Sequence, residues 1–331
     1  MNIETVSNKR ILSGVQPSGI LHIGNYFGAI RQHIRLQEKN ECYYFVANFH
    51  SLNSVQDPER LTQMSLDVAL DYLALGLDPQ RSVLFLQSDV PEVCELAWIL
   101  STLTPMGLLE RSHAYKDKLQ KGLPANHGLF AYPTLMAADI LIYDSDYVPV
   151  GKDQKQHLEM TRDMAEKFNL AFGETLKLPE DLILDSVAVV PGIDGQKMSK
   201  SYNNTIEMFA SKKEIKSKVM KIVTDSAALE DPKDPDQSFI VDLYKLFATP
   251  EELRIMQDNF RAGGYGYGHA KKELLEKVMT YFGPARERRE ALVQNMDYVR
   301  EVLHDGALRA RERAAVVMDR VRKSAGIMRT V

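Results

Sequence analysis

Two stretches of this 331-residue chain carry residues that could work on a polyphosphate. The first is Lys197-Met198-Ser199-Lys200-Ser201, which follows an apolar run at 187–190 and the breakers Pro191, Gly192 and Gly195. Its two lysines stand three apart, so both can close on one polyphosphate and neutralise the charge that builds during phosphoryl displacement. Lysine- and serine-rich loops are common, and residue type alone does not decide the matter. The second stretch is 13–28. Ile11 and Leu12 read as a short buried strand, Gly14, Pro17 and Gly19 break it, and Ile23, Phe27, Ile30 and Ile34 then recur at helical spacing. A strand, a small-residue turn and a helix start leave backbone N–H groups without partners where the helix dipole favours an anion. His22 stands in the first turn, and its ring can reach the same guest. An ordinary α/β junction has this pattern too. The glycine spacing fits neither the dinucleotide fingerprint nor the phosphate loop of ATPases, which disfavours both classes.

A third group suits a flat ring. Tyr132, Met136, Asp139 and Tyr143 are spaced four, three and four apart, so they share one helix face. An aspartate in an otherwise apolar helix costs several kcal/mol if left unpaired. Asp139 therefore either pairs internally or accepts an N–H or O–H from a ligand, with the aromatic and the thioether packing that ligand's ring. His50 follows the apolar run 42–48, at the strand end where α/β proteins place ligands, and is a site candidate as much as a loop histidine. Lys116 and Lys118 lie in a long polar connection, where lysines face solvent or reach a phosphate. Asp153 follows the short strand 148–150 and opens a helix over 155–168; it is either a cap or an acceptor for ribose hydroxyls.

The elements that must hold these residues alternate. Apolar strands are expected at 11–12, 42–48, 82–87, 148–150 and 187–190, with helices from Pro58 to Leu75, from Pro91 and from Pro133. This order argues for an open parallel sheet. From about Thr205 the chain reads as helical, with Lys212, Lys213, Lys216, Lys218 and Lys221 crowded together and Arg309, Arg313 and Arg320 on roughly one face of the last helix. A solvated face is the better reading for most of these charges, with a few meeting phosphates. Composition agrees: hydrophobic content of 44%, charged content of 26% and a net charge of −4 suit a folded chain with real cores. Residues 207–331 hold 23 Lys+Arg against 20 Asp+Glu, while the remainder holds 18 against 25. That weak basic excess is compatible with nucleic acid. No apolar run reaches a membrane span, Met1 to Arg10 lacks the apolar core of a signal peptide, and Cys42 and Cys94 make neither a metal set nor a disulfide framework. A cytoplasmic setting is expected.

The pieces coincide with a family. His22-Ile23-Gly24-Asn25 resembles the HIGH element of class I aminoacyl-tRNA synthetases, and residues 197–201 match their KMSKS loop in full. Within that class the chain is similar to the bacterial tryptophanyl enzymes from end to end, in Ser13-Gly14-Val15-Gln16-Pro17-Ser18-Gly19, in Leu135 through Leu141, in Val148-Pro149-Val150-Gly151 and Asp153-Gln154-Lys155-Gln156-His157, and in Val223-Thr224-Asp225-Ser226 and Gly264-Tyr265-Gly266. The resemblance implies a Rossmann-like parallel-sheet catalytic domain over 1–205, with an insertion near 55–128 that carries a homodimer interface, and an all-helical anticodon-binding domain over 206–331. It implies that ATP with Mg2+ activates L-tryptophan, which then passes to tRNA(Trp), with no metal site of the protein's own. Gln16, Pro17, Ser18, Gly24 and Asn25 would line ATP, with His22 near its phosphates. Gly151, Lys152 and Asp153 would meet ribose or adenosine, and Val190 the adenine. Lys197, Met198, Ser199, Lys200 and Ser201 would close over the pyrophosphate, and Lys118 would reach the terminal phosphate. Asp139 would accept the indole N–H while Tyr132 and Met136 pack the ring, and His50 and Gln154 would hold the amino-acid end or ribose. Many relatives carry Thr where His22 stands and Glu where Lys152 stands, so the contact of Lys152 is open. The cysteine set of the iron–sulfur-bearing relatives is absent. Tyrosine in the same chemistry, and a regulatory binder without catalysis, are the competing readings.

Overall fold

The computed structural model describes residues 5–122, 125–151, 154–183 and 189–328. Five parallel strands form one sheet: β1 (Arg10–Val15), β2 (Glu41–Val46), β3 (Ser82–Leu86), β4 (Tyr147–Val150) and β5 (Glu180–Ile183). Their order is β3-β2-β1-β4-β5, so the winding reverses between β1 and β4. In such sheets the crevice at the carboxyl ends of the strands beside the reversal is the place for a ligand. β1 and β4 pair at Ile11–Tyr147, near their N-terminal ends, leaving room between them further along.

The strands read as continuous apolar runs because both faces are covered. Their side chains alternate between two cores. Ile11, Tyr44, Val46 and Leu84 join one core, shared with the C-terminal helices; Leu12, Tyr43, Phe45, Val83 and Phe85 join the other. Strand β5 falls where no strand was expected. The run expected at 187–190 lies partly outside the described residues, as do Lys152 and Asp153.

Helices follow in chain order: α1 (Ile23–Asn25), a π-helical turn (Tyr26–Ile30), α2 (Arg31–Leu36), α3 (Asn48–Ser51), α4 (Pro58–Leu75), α5 (Glu92–Ser101), α6 (Met106–Glu110), α7 (His113–Gln120), α8 (His127–Leu141) and α9 (Lys155–Phe172). Beyond the sheet come α10 (Lys212–Met220), α11 (Phe239–Tyr244), α12 (Pro250–Ala262), α13 (Tyr267–Val293) and α14 (Met296–Ser324). The stretch 55–128 supplies β3 to the sheet as well as α4 to α7. α8 starts six residues before Pro133, capped by the Asn126 side chain, which accepts from Leu129 N at 2.8 Å. Pro133 is buried inside the helix, so its missing N–H marks neither a start nor a break here.

α14 returns from the helical part to lie on the edge strand β3. Gly306 makes the approach possible, since a Cβ there would stand 1.9 Å from Leu84 O. Arg309 and Arg320 stay exposed, as a solvated face requires, and Arg313 is half-buried, but all three also hold acceptors of the protein itself. Arg309 donates to Pro79 O at 2.9 Å, Arg313 and Arg320 both pair with the buried Asp144, and Arg322 pairs with Glu95 at 2.5 Å. These contacts cover an otherwise open sheet edge and pin the last helix to the sheet.

Candidate active site

A cavity of about 360 Å3 opens between the carboxyl ends of β1 and β4. It gathers Gln16, His50, Tyr132, Met136, Asp139 and Gln154. Leu12, Phe45, Ala47 and Val148 make the rest of its wall largely apolar. β1 and β2 deliver the apolar floor, α3 delivers His50, and α8 delivers Tyr132, Met136 and Asp139 from one face at the expected spacing. Tyr143, the fourth residue of that series, is fully buried and stacks on Tyr43 instead, with ring centres 5.3 Å apart.

Asp139 is 2% exposed. Gln87 Nε2 donates to both of its oxygens, at 3.0 and 2.8 Å. His50 Nε2 lies 2.9 Å from Oδ2. A carboxylate only accepts, so in this pair the imidazole proton sits on Nε2. Thus the two readings of Asp139 hold together: it is paired internally and still faces the cavity. Each carboxylate oxygen has two lone-pair directions; two donors making three contacts leave one direction, on Oδ1, for a ligand. Gln87 also fixes the His50 turn, its Oε1 accepting from Phe49 N at 3.0 Å. Gln87 carries no motif and no helical spacing that marks it as functional. A polar residue closing an apolar parallel strand at its carboxyl end was the signal that could have found it.

Tyr132 is held at its far end. Its hydroxyl lies 3.0 Å from Ser112 Oγ and 2.5 Å from His157 Nε2, tying α8 to α9 and to the start of α7, and burial pushes the phenol pKa up. Lys118 lies on α7 and does not line the cavity.

Beside the cavity, the two polyphosphate candidates form facing jaws. One is the turn 16–19 with α1. The other is residues 190–204, a tight loop held by Met198 N to Val190 O at 2.9 Å and by the buried Asn204, whose side chain accepts from Ser199 N and donates to Lys197 O and Asp194. The jaws touch directly. Ile23 N donates to Ile206 O at 3.0 Å, Gly24 N lies 3.4 Å from Met198 Sδ, and Lys200 Nζ reaches Ser18 O at 3.3 Å. Asn25 Oδ1 accepts from His22 N at 3.0 Å, closing the helix start. Ser199 and Ser201 hydroxyls lie 2.8 Å apart, and Lys197 is exposed at the loop's edge.

Electrostatics separate the two basic groups. Burial, and then the Lys200 ammonium, hold His22 down to about 4, so its imidazole is neutral at physiological pH. Burial also lowers Lys200, against which Asp71 and Glu207 favour its charged form. His22 Nδ1 is buried and has no hydrogen-bond partner. The N-terminus of α1 thus combines a neutral ring with an ammonium across a narrow gap. Gly151 follows β4 and is exposed, Val190 is buried and its carbonyl accepts from Met198 N, and Lys152 and Asp153 lie outside the described residues.

Residues 6–283 match the family model for tRNA synthetases class I (W and Y). The tryptophan–tRNA ligase of Fusobacterium nucleatum is 59% identical over 97% of this chain and 98% of its own. That of Rhodopirellula baltica is 57% identical over 96% and 99%. The chain belongs to the tryptophan–tRNA ligases. A tryptophanyl-tRNA synthetase from Campylobacter jejuni, solved in complex with ADP and tryptophan, superposes with a TM-score of 0.92 at 53% identity, covering 96% of this chain and 99% of its own. As in that family, the fold is a Rossmann-like α/β sheet with a helical C-terminal part, and the chain is an aminoacyl-tRNA synthetase, a ligase.

Proposed function

We propose that the cavity holds L-tryptophan by its indole N–H on Asp139, and that the jaws beside it hold ATP for adenylate formation ahead of transfer to tRNA(Trp). The observation that carries this is the buried Asp139 carboxylate, oriented by Gln87 and His50 at the wall of an apolar cavity with one acceptor direction to spare. Met136, Tyr132, His50 and Gln154 all line the cavity; in this reading Met136 and Tyr132 pack the ring, and His50 and Gln154 serve the amino-acid end or the ribose. Gln16, Pro17, Ser18, Gly24 and Asn25 line the nucleotide, together with Gly151, Lys152, Asp153 and Val190.

The tryptophan carboxylate, already ionised at neutral pH, attacks the α-phosphorus. A new O–P bond forms, the bond to the β-phosphate oxygen breaks, and pyrophosphate leaves. No side-chain nucleophile or base is required; the work is positioning and charge stabilisation. Lys197 and Lys200 meet the leaving charge, Lys118 reaches it from α7, and neutral His22 contributes a hydrogen bond rather than a proton. Mg2+ arrives as part of the substrate, on the ATP phosphates. The acyl group then passes to the terminal ribose of tRNA(Trp). The helical segment 206–331 reads the anticodon, and α10, with Lys212, Lys213 and Lys216 exposed, adds basic surface.

Large apolar side chains stand exposed on α5, α6 and α9: Trp98 at 72%, Met106 at 63% and Leu170 at 87%. Such exposure supports a homodimer through this region. Sedimentation is expected to give twice the 37.5 kDa chain mass, and a monomer at micromolar concentration would remove that part of the reading. Among the described residues no helix is long and apolar enough to cross a membrane, and a cytoplasmic setting fits the chemistry. The assay for the whole reading is ATP–pyrophosphate exchange with each of the twenty amino acids. Exchange supported by tryptophan alone is the expected result. Equal exchange with tyrosine, or none with any amino acid, would sink it.

A further inference from the structure

Three arginines on α13 clasp other elements. Arg286 Nη1 donates to Met208 O at 2.6 Å, and Arg288 Nε donates to Ala74 O at 2.8 Å. Arg289 grips two elements at once. Its Nε donates to Asp71 Oδ1 at 2.6 Å, its Nη2 lies 3.5 Å from Asp67 Oδ1, and its guanidinium carbon stands 5.2 Å from the centre of the Phe209 ring. Asp71 is 2% exposed on the buried face of α4, where a charge without a partner would be costly. Burial pushes its carboxyl up to about 6, with Arg289 opposing.

Met208 and Phe209 follow a few residues after the 190–204 jaw. Ile206 O accepts from Ile23 N, and Glu207 bridges to His22. α13 also reaches Tyr26, the residue after α1 of the other jaw, with its Tyr281 OH 3.0 Å from Tyr26 OH and its Phe282 ring 5.1 Å from that of Tyr26. α13 therefore packs beside both jaws of the phosphate cleft, and Arg288 and Arg289 bolt it to α4, Arg289 through the buried Asp71 side chain.

We propose that Asp71 and Arg289 are positioning residues for the ATP half-reaction: their pair locks α13 and the 206–209 segment to α4 and so sets where the 197–201 loop stands over His22. Neither residue needs to touch substrate. The proposal rests on the reading of the cleft given above. Without the pair, the loop samples more positions, and ordering it falls to ATP binding, which weakens. The tryptophan cavity is lined by no residue of α4, α13 or 206–209, so it is untouched.

The test measures pyrophosphate exchange with ATP and tryptophan varied separately, with tryptophan affinity read by calorimetry. Asp71→Asn and Arg289→Ala are each expected to lower kcat/KM for ATP about tenfold while tryptophan affinity changes by less than about twofold. The double variant is expected to be no worse than the worse single, because the two act as one unit. Arg289→Lys keeps the charge but not the planar fork and should fall between; it is the readout if Arg289→Ala does not fold. Equal shifts for ATP and tryptophan, no shift in either, or strictly additive losses would overturn the proposal. A wild-type protein that fails to exchange with tryptophan would instead overturn the reading of the cleft.

Discussion

Replacing Asp139 with alanine is expected to cut kcat/KM for tryptophan by about a thousandfold, roughly 4 kcal/mol, while KM for ATP stays within about threefold. A site built around a buried acceptor rejects ligands without the matching donor, because its own polar group is then left unpaired. Here the effect is compounded. Alanine removes the proposed acceptor for the indole and also strands the Gln87 amide and the His50 N–H, both inside the protein. The substitution therefore weakens the preference for tryptophan over phenylalanine as well as the affinity. Gln87→Leu is the graded companion. It leaves Asp139 in place with one fewer partner, and a loss of about ten- to a hundredfold for tryptophan is expected from one hydrogen-bond donor to a charged group. Amino-acid competition in pyrophosphate exchange measures both. A tryptophan-to-phenylalanine ratio that survives Asp139→Ala would remove Asp139 from the specificity role.

Lys200→Ala is expected to slow adenylate formation by about a hundred- to a thousandfold in single turnover, with tryptophan affinity within about twofold. Lys200 spans the jaws, its ammonium on Ser18 O and Oγ, close to where a leaving pyrophosphate would gain charge. A partly buried cation stabilises such charge more than one in bulk water would. Lys197 is exposed, so Lys197→Ala should follow the same pattern with a smaller loss. The pH profile adds a check. His22 is held to about 4, below its unfolded value near 6.5, so it stays neutral in the folded state from about pH 5 upward. The rate of adenylate formation is expected to show no ionisation of His22 between about pH 6 and 9. Below about pH 6.5 the unfolded imidazole takes up a proton that the folded one refuses, so His22 lowers stability as pH falls toward 4. A normal burst of adenylate in Lys200→Ala would exclude the lysine from the chemistry.

Residue order alone settles the parts whose signals are local. The parallel strands β1 to β4 are short apolar runs. The helix face bearing Tyr132, Met136 and Asp139 follows from the 3.6-residue period, and the two phosphate elements are contiguous motifs. Tyr132, Met136 and Asp139 line one cavity as their helical spacing required. Tertiary structure decided everything that depends on residues far apart in the chain. Gln87 reaches Asp139 across 52 positions, Lys200 reaches Ser18 across 182, and Arg289 reaches Asp71 across 218. No periodicity records such pairs, because each partner alone looks like an ordinary polar residue in its own element. The same reason hid the fate of Arg309, Arg313 and Arg320. A charged stripe on an isolated helix reads as solvated. Only the packing of α14 against β3, made possible where Gly306 lacks a side chain, brings these arginines, two of them still exposed, within reach of Asp144 and the carbonyls at the sheet edge.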